Sequence, residues 1–385
     1  MAGALDSPDK MSQGISTGLN TRKTCNICVL GAGCIGLSSA IALAESVGSC
    51  RNASSRVTIT VLAENFHPHT TSNVAAGIWE PYDIKTTPAE RGERWCRETL
   101  HWMQRVYHSD MNEAEKIGIL SCPLTSVQCS ADSVKGLVQP VDALEKFGCD
   151  VRRLSDNQVA SYGMEDLQSG FHLQTTIADT SYLLPWMMRR CKQLGVAFEK
   201  RSVQRLTDLS GEFDAVINCC GLPRSLLTDD QDAYPIGGQV VRVHAPWVTE
   251  ATLMINSDGK LTYVIPQVDC VVLGGTYKRH DWNLEEDKGE TAGILQRCSK
   301  VIPSLRDAVI LRVDVGLRPA RSSGIRLESQ RLFQPTSGRD LFVVHNYGHA
   351  GCGITVHYGC AKEAASIMMQ WLGTQIVTME NNHVS

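Results

Sequence analysis

Short apolar runs alternate with glycine-containing turns and amphipathic segments along most of this chain. Residues 27–30 form an apolar run, which a glycine turn and a helix of small residues follow. Two further strand-like runs cover residues 196–200 and 214–221, and a helical pattern precedes the first of them. Strands that alternate with helices are typical of a parallel sheet. The pattern therefore predicts an α/β unit built around the strand at residues 27–30.

A second region of the chain has a different pattern. Residues 235–243 and 261–277 are rich in strand-forming residues and contain short polar turns. An amphipathic helix is predicted at residues 288–302. Strands joined by short turns pair antiparallel, so we expect a second, α+β domain built on a mixed, largely antiparallel sheet.

Two other helices have distinct signals. Residues 90–107 place Trp95, Leu100 and Met103 on one face, which indicates a core-facing helix rather than a site. Another helix is predicted to begin at Pro185 and to end at Gly195, because proline suits the first helical position and glycine the C-terminal end.

The turn after the first strand carries a glycine spacing with a specific use. Gly31, Gly33 and Gly36 follow the G-x-G-x-x-G pattern, which permits a tight turn, close approach to a pyrophosphate and close helix–strand packing. The N-terminus of the next helix favours the same phosphate. The following strand, at residues 57–62, leads to Glu64, whose carboxylate can accept hydrogen bonds from a ribose. A Rossmann-like dinucleotide site is predicted, in preference to a purely structural turn.

Two more stretches have the composition of a cofactor pocket. Residues 69–82 place hydroxyl groups before small residues, which let a flat ring approach the backbone, although a polar loop with a helix cap is the alternative. Residues 346–353 form a second glycine-rich turn between a strand and the closing helix. The dinucleotide domain is therefore predicted to be discontinuous, with the other domain inserted. The predicted boundaries are a mobile tail at 1–24, a dinucleotide domain at 25–83, 170–232 and 324–385, and a substrate and interface domain at 84–169 and 233–323.

Length, charge and cysteine content limit the classes of function to consider. A length of 385 residues suits two domains. The formal net charge of −4 gives no basis for nucleic-acid or membrane binding, and no apolar run reaches the roughly 18 residues of a membrane span. The 15 cysteines are scattered and odd in number, which favours free thiols in a reducing compartment. Cys25 and Cys28 have no second pair at metal spacing, so no metal site is predicted.

Taken together, six motifs resemble the D-amino-acid oxidase and D-aspartate oxidase family of FAD enzymes over about residues 26–370. The motifs are the glycine spacing at 31–36, TSNVAAG at 71–77, YVIP at 263–266, LGGTY at 273–277 with DWN at 281–283, GLRPAR at 316–321 and HNYGHAG at 345–351. The resemblance implies FAD as the cofactor. It also implies oxidation of a D-amino acid by hydride transfer to the flavin, giving a 2-oxo acid, ammonia and hydrogen peroxide.

The resemblance further implies roles for individual residues. Those implied to bind FAD are Gly31, Ala32, Gly33, Ile35, Gly36, Glu64, Asn65, Thr71, Ser72, Ala76, Gly77, Ile78, Val203, Cys220, Gly221, His349, Ala350, Gly351, Gly353, Ile354 and Thr355. Arg318, Tyr263 and Tyr277 match residues that bind the substrate carboxylate. The Gly351 carbonyl is implied to hold the amine. Arginine suits a carboxylate because its guanidinium is always charged and binds in a bidentate manner.

Substrate preference depends on two positions. The extra arginines of D-aspartate oxidases fall at Tyr277 and near Asn256 in this chain, and neither residue is basic. We therefore expect a preference for neutral D-amino acids. D-Aspartate oxidase stays the alternative, because Lys278, Arg279 and His280 could bind an acidic side chain unless they form a solvated turn.

Other readings also stay open. A glycine or sarcosine-type amine oxidase and a flavin-binding protein without turnover are the further alternatives, and Arg318 beside Tyr263 argues against both. The expected partners are a small-molecule D-amino acid and O2, with no nucleic acid or membrane, and a homodimer is considered. The resemblance implies a peroxisomal location, with the cytoplasm as the alternative because residues 383–385 match Ser-Lys-Leu poorly.

Overall fold

The computed structural model describes residues 24–50, 57–81, 87–109, 114, 116–129, 144–222, 225–255, 257, 260–334 and 338–381. Most of the predicted tail, Asn256 and residues 383–385 lie outside these residues.

Within them, the strands are β1 (Cys25–Leu30), β2 (Val57–Ala63), β3 (Ile119–Cys129), β4 (Arg152–Arg153), β5 (Leu167–Ala178), β6 (Ala197–Lys200), β7 (Ala215–Asn218), β8 (Ala233–His244), β9 (Ala251–Ile255), β10 (Leu261–Pro266), β11 (Val271–Gly274), β12 (Lys278–Arg279), β13 (Val309–Arg321), β14 (Arg326–Gln334) and β15 (Arg339–Tyr347). The helices are α1 (Cys34–Ser49), α2 (Ala89–Ser109), α3 (Asp156–Ala160), α4 (Thr180–Gln193), α5 (Ser225–Thr228), α6 (Lys288–Val301) and α7 (Gly353–Asn381). Single 3₁₀ segments cover Thr71–Val74, Leu206–Leu209 and Pro303–Asp307.

The first sheet has the order β14-β15-β7-β1-β2-β6. Its strands from β15 to β6 pair in parallel, and β14 pairs antiparallel with β15 at the edge. Strand β1 is buried on both faces: Ile27 and Val29 belong to a core that includes α1, α2, α4 and α7, and Cys28 and Leu30 belong to a second core with Leu206 and Phe213. The carboxyl end of β1 leads into the glycine turn, where ligands bind in open parallel sheets. The predicted α/β fold is confirmed.

The second sheet has the order β12-β8-β11-β10-β9-β3-β5-β4, and β13 also pairs with β8. All of its pairs are antiparallel except β3 with β9. Helix α6 packs on one face through Ile294 and Cys298, which belong to a core with Val241, Val264 and Leu273. The predicted α+β architecture with a mixed, largely antiparallel sheet is confirmed.

Some elements depart from the predicted boundaries. The predicted start of a helix at Pro185 is wrong: α4 begins at Thr180, because the Asp179 carboxylate caps it by accepting a hydrogen bond from the Ser181 N–H at 2.9 Å. Pro185 therefore lies inside the helix. Strand β5 pairs wholly within the second sheet, although the predicted domain boundary at residue 170 divides it.

Three further features concern metal binding, membrane spans and disulfide bonds. Among the described residues, no group of histidine, cysteine and acidic side chains is arranged to hold a metal ion. No helix among them combines the length and apolar character that crossing a membrane requires. All 15 cysteines lie in the described part of the chain, and no disulfide joins any of them there.

Candidate functional site

The glycine turn after β1 is fixed by contacts that leave no room for a side chain. Gly31 has φ of +110°, and a Cβ there would lie 2.4 Å from the Cys219 carbonyl oxygen. A Cβ on Gly36 would lie 1.9 Å from the Gly31 carbonyl oxygen, so α1 packs directly on the turn. The Cys34 N–H, in the first turn of α1, donates to the Ser72 Oγ at 2.9 Å. The turn and the helix N-terminus therefore face the loop that carries Ser72.

A cavity of about 480 Å³ begins at this turn and extends to the second sheet. Every residue predicted for the site lines it, except Gly36 and Tyr277. Gly36 lies behind the turn, where it permits the close packing described above. The structure thus brings residues from both ends and the middle of the chain into one site.

Two buried polar side chains hold the loop at residues 71–78 against the second sheet. The fully buried Arg242 donates from Nη2 to the Asn73 carbonyl oxygen at 3.0 Å and from Nε to the Asp314 Oδ2 at 2.7 Å. The Gln267 Nε2 donates to the Ala76 carbonyl oxygen at 3.0 Å. Sequence reasoning missed Arg242, although a cation within the apolar run at 240–243 is a signal that could have found it.

Arg318 projects from β13 into the cavity and is half-buried. Its Nη1 donates to the Thr276 carbonyl oxygen at 3.2 Å. Its register partner on β8 is Ile236, and Gly238 lies two residues further along that strand, where a Cβ would lie 2.0 Å from Nη1. The guanidinium therefore rests on bare backbone and lines the cavity beside the Tyr263 hydroxyl.

Tyr263 lies beside this arginine on β10. It pairs across the sheet with Gly274, and a Cβ on Gly274 would lie 2.1 Å from the Tyr263 Cζ. Burial raises the pKa of the Tyr263 hydroxyl, and the charge of Arg318 opposes part of that rise. The phenol is therefore protonated at neutral pH and can donate a hydrogen bond to an anion.

Tyr277 and the basic residues after it differ from the prediction for the site. Tyr277 does not line the cavity, and 40% of it is exposed. The reason is that the chain continues after Thr276 as β12, an edge strand of the second sheet that pairs with β8 and whose side chains are exposed. Lys278 pairs there with Glu290 at 3.0 Å, while Arg279 and His280 contact the ring of Tyr234. All three basic side chains are exposed, and none of them lines the cavity.

The glycine-rich turn before α7 forms the opposite wall. The Ala350 N–H donates to the Pro319 carbonyl oxygen at 2.7 Å, which ties the turn to the strand that carries Arg318. The buried Asp230 carboxylate accepts from Arg321 Nε at 2.7 Å and from the Tyr347 hydroxyl at 2.6 Å. Burial acts to raise the pKa of Asp230, but these two donors outweigh it and hold that pKa below its usual range. Arg321 is thus held in an ion pair with a buried carboxylate and does not line the cavity.

Two buried histidines, His349 within this turn and His357 in α7, lie close to the site. His349 lines the cavity, and no hydrogen-bond partner for its Nε2 exists among the described residues. His357 lies within 2.8 Å of the Ser38 Oγ through its Nδ1. Burial lowers the pKa of each imidazole to about 3, so both are neutral at physiological pH.

Glu80 is a lining residue that was not predicted for the site. Burial raises the pKa of its carboxyl group to about 7. Its backbone is fixed by Thr355, whose hydroxyl donates to the Glu80 carbonyl oxygen at 2.6 Å and accepts from the Glu80 N–H at 3.3 Å. Glu80 lies in the stretch at 69–82 whose composition indicated a pocket, but no local pattern distinguished its side chain.

Comparison with known proteins finds one matching family and several similar relatives. The family described as FAD dependent oxidoreductase matches residues 26–367. A D-aspartate oxidase from Homo sapiens is 34% identical over 356 residues, covering 90% of this chain and 95% of the relative. A D-amino acid oxidase from Dugesia ryukyuensis is 32% identical over 347 residues, covering 89% of this chain and 97% of the relative.

The fold also resembles that of solved structures. Glycine oxidase from Bacillus cereus superposes with a TM-score of 0.68 and is 18% identical, with 90% of this chain and 95% of that chain covered. At this identity the likeness concerns the fold alone.

Proposed function

This chain belongs to the family of FAD-dependent oxidoreductases that its sequence matches over residues 26–367, and from that premise we propose that it oxidises D-amino acids. The products are a 2-oxo acid, ammonia and hydrogen peroxide. The observation that carries the proposal is that Arg318 and Tyr263 line the same cavity as the glycine turn after β1. A cation and a phenol can thus hold a small carboxylate within reach of a bound dinucleotide.

The residues present fit FAD. The cradle at Gly31 and Gly36, which any Cβ would fill, suits the close approach of a pyrophosphate, and the N-terminus of α1 adds a positive dipole end. We assign Glu64 to the ribose, and the loop at 71–78 with the turn at 349–355 to the flavin ring. When bound, FAD accepts the two electrons and the α-hydrogen of the substrate and passes the electrons to oxygen.

The protein's own contribution is to hold the substrate in one orientation. The Arg318 guanidinium binds the substrate carboxylate, and the protonated Tyr263 hydroxyl donates to the same group. The Gly351 carbonyl oxygen accepts a hydrogen bond from the amine. With the carboxylate and the amine both held, the α-hydrogen of the D-enantiomer points to one side of the substrate. Correct orientation therefore supplies much of the rate enhancement.

The proposal gives Tyr263 a binding role without proton transfer. Replacing Tyr263 by Phe should reduce kcat/KM for D-alanine by about tenfold, the cost of one hydrogen bond to a charged group. Steady-state kinetics on FAD-loaded protein measure this. Complete loss of turnover with FAD retained would instead make Tyr263 an essential acid or base.

The activity itself is tested by stereoselectivity. Purified protein should release hydrogen peroxide with D-alanine and not with L-alanine. Release with glycine or sarcosine in preference to D-alanine would favour the amine oxidase alternative. No release with any of these substrates, despite bound FAD, would favour a flavin-binding protein without turnover.

We further propose a preference for neutral D-amino acids. The support is that Lys278, Arg279 and His280 contact other surface residues, and that Arg201, the other arginine lining the described cavity, pairs with Glu212 at 2.8 Å. The competing candidate is a D-aspartate oxidase, which the 34% identical human relative favours. Turnover of D-methionine should exceed that of D-aspartate at low concentration, and the reverse order would establish the competing candidate.

The partners and the cellular location complete the proposal. The partners are a small-molecule substrate and oxygen. A peroxisomal location and a homodimer stay predictions, which fluorescence microscopy of the tagged protein and sedimentation of the holoenzyme can check.

A further inference from the structure

The carboxyl group of Glu80, a residue that lines the cavity, has no role in the proposed oxidation. Glu80 and Ile78 both line the cavity, whereas Trp79 between them is buried on the other side, with its ring 5.6 Å from that of Phe147. The Trp79 carbonyl oxygen accepts from the Thr175 hydroxyl at 2.8 Å. With the Glu80 backbone also held by Thr355, the direction of the Glu80 side chain is fixed from both sides.

Within the described residues, the Glu80 carboxyl group forms no ion pair or hydrogen bond. Neither arginine that lines the described cavity hydrogen-bonds to this carboxyl group: Arg318 donates to the Thr276 carbonyl oxygen, and Arg201 pairs with Glu212. A buried carboxylate without a partner is costly. A cation or strong donor on a ligand would therefore gain energy by meeting it.

An apolar part of the cavity wall adjoins Tyr263, one of the two residues proposed to bind the substrate carboxylate. Tyr263, Leu253 and Val240 form one core cluster, and Ile78 packs against it. All four also line the cavity. An aliphatic stem can lie along this wall, as lysine and arginine stems do on apolar protein surfaces, with its polar end at Glu80.

We propose that Glu80 is a specificity-determining residue that selects D-amino acids whose side chain has an apolar stem and a cationic end, such as D-lysine. This inference rests on the proposed oxidase function and adds cationic side chains to the neutral ones proposed above. The same carboxylate disfavours substrates with an acidic side chain, since like charges repel in a partly dry site.

The test compares substrates that differ only at the end of the side chain, so that general changes in rate cancel. At pH 8, wild-type enzyme should use D-lysine with a kcat/KM at least equal to that for D-norleucine. In the Glu80→Gln variant, the D-lysine to D-norleucine ratio should fall by about 10- to 100-fold, as expected for loss of a charged hydrogen bond. The ratio of D-glutamate to D-glutamine should rise by about tenfold.

Three results would overturn the inference. The first is a wild-type kcat/KM for D-lysine below one tenth of that for D-norleucine. The second is that both substrate ratios are unchanged in Glu80→Gln. The third is an equal loss of kcat/KM on all substrates in Glu80→Gln, which would assign Glu80 to the part of the site that holds the carboxylate and the amine. If Glu80→Gln does not fold or loses FAD, the wild-type ratio and a Glu80→Asp variant decide. Failure of the oxidase proposal is distinguishable, because wild-type enzyme would then release no peroxide with D-norleucine or D-alanine.

Discussion

At the scale of single residues, the site depends as much on missing side chains as on present ones. Arg318 and Tyr263 each lie on a glycine of the neighbouring strand, at Gly238 and Gly274. The motifs around Arg318 and Tyr263 were visible in the sequence. The use of Gly238 was not, because it depends on the β8–β13 register, which pairs residues far apart in the chain.

Gly238→Ala tests this arrangement. Its Cβ would lie 2.0 Å from the Arg318 Nη1 and displace the guanidinium, so kcat/KM for D-alanine should fall by about 100-fold, the effect of misplacing a reacting group by about 1 Å. Gly237→Ala is the matched control, because its Cβ would come no closer than 3.3 Å to the Asp281 side chain. Equal activity of the two variants in steady-state assays would show that the arginine position does not limit the reaction.

At the scale of elements, α2 joins the core that α1 and α7 form on the first sheet. Sequence periodicity predicted the buried face of α2 correctly, but the predicted boundary at residue 84 placed this helix in the other domain. Periodicity shows which side of a helix is apolar and not which partner covers it. The covering surface includes Gly359 of α7, where a Cβ would lie 2.4 Å from the Trp95 backbone.

Polar contacts between these helices centre on Glu363. Its carboxylate accepts from Arg91 Nε at 2.8 Å and from Trp95 Nε1 at 2.7 Å. Glu363→Ala leaves both donors without this partner and should lower the free energy of unfolding by about 2 kcal/mol. Glu98→Ala removes the more exposed Lys362 pair between the same helices and should cost less than about 1 kcal/mol. Urea denaturation compares them, and equal losses would contradict a special role for Glu363.

At the scale of the whole molecule, buried imidazoles set the response to acid. Burial lowers the pKa of His345 to about 4 and the pKa values of His349 and His357 to about 3. In the unfolded chain these groups bind protons near pH 6.5. The unfolded state therefore takes up more protons as the pH falls below 6.5, and folding stability decreases.

Each of these histidines should lower stability by up to about 1.4 kcal/mol for every pH unit below 6.5. Glu80 acts in the opposite direction, because its pKa is raised to about 7 and its protonation favours the folded state. Three groups outweigh one, so the urea midpoint should be lower at pH 5 than at pH 7.5. A midpoint that stays constant or rises would mean that the histidines are not buried as neutral groups.

The fold and the cofactor cradle were predictable because strand, turn and helix signals are local. The position of Tyr277 was not, because a motif match does not reveal that the chain after Thr276 becomes an edge strand with exposed side chains. Glu80 and Arg242 were missed for a related reason. Their significance depends on burial, which residues distant in sequence create.

The central claim is that the Arg318 guanidinium holds the substrate carboxylate while FAD is bound in the same cavity. Anaerobic stopped-flow measurement of flavin bleaching by D-alanine tests it most directly, with Arg318→Leu compared with wild type and Arg318→Lys as the charge-retaining control. We predict rapid bleaching of the wild type by D-alanine and none by L-alanine. Arg318→Leu should keep its FAD but bleach about 100-fold more slowly at low substrate, with Arg318→Lys in between. Bleaching of FAD-loaded Arg318→Leu at the wild-type rate would contradict the account.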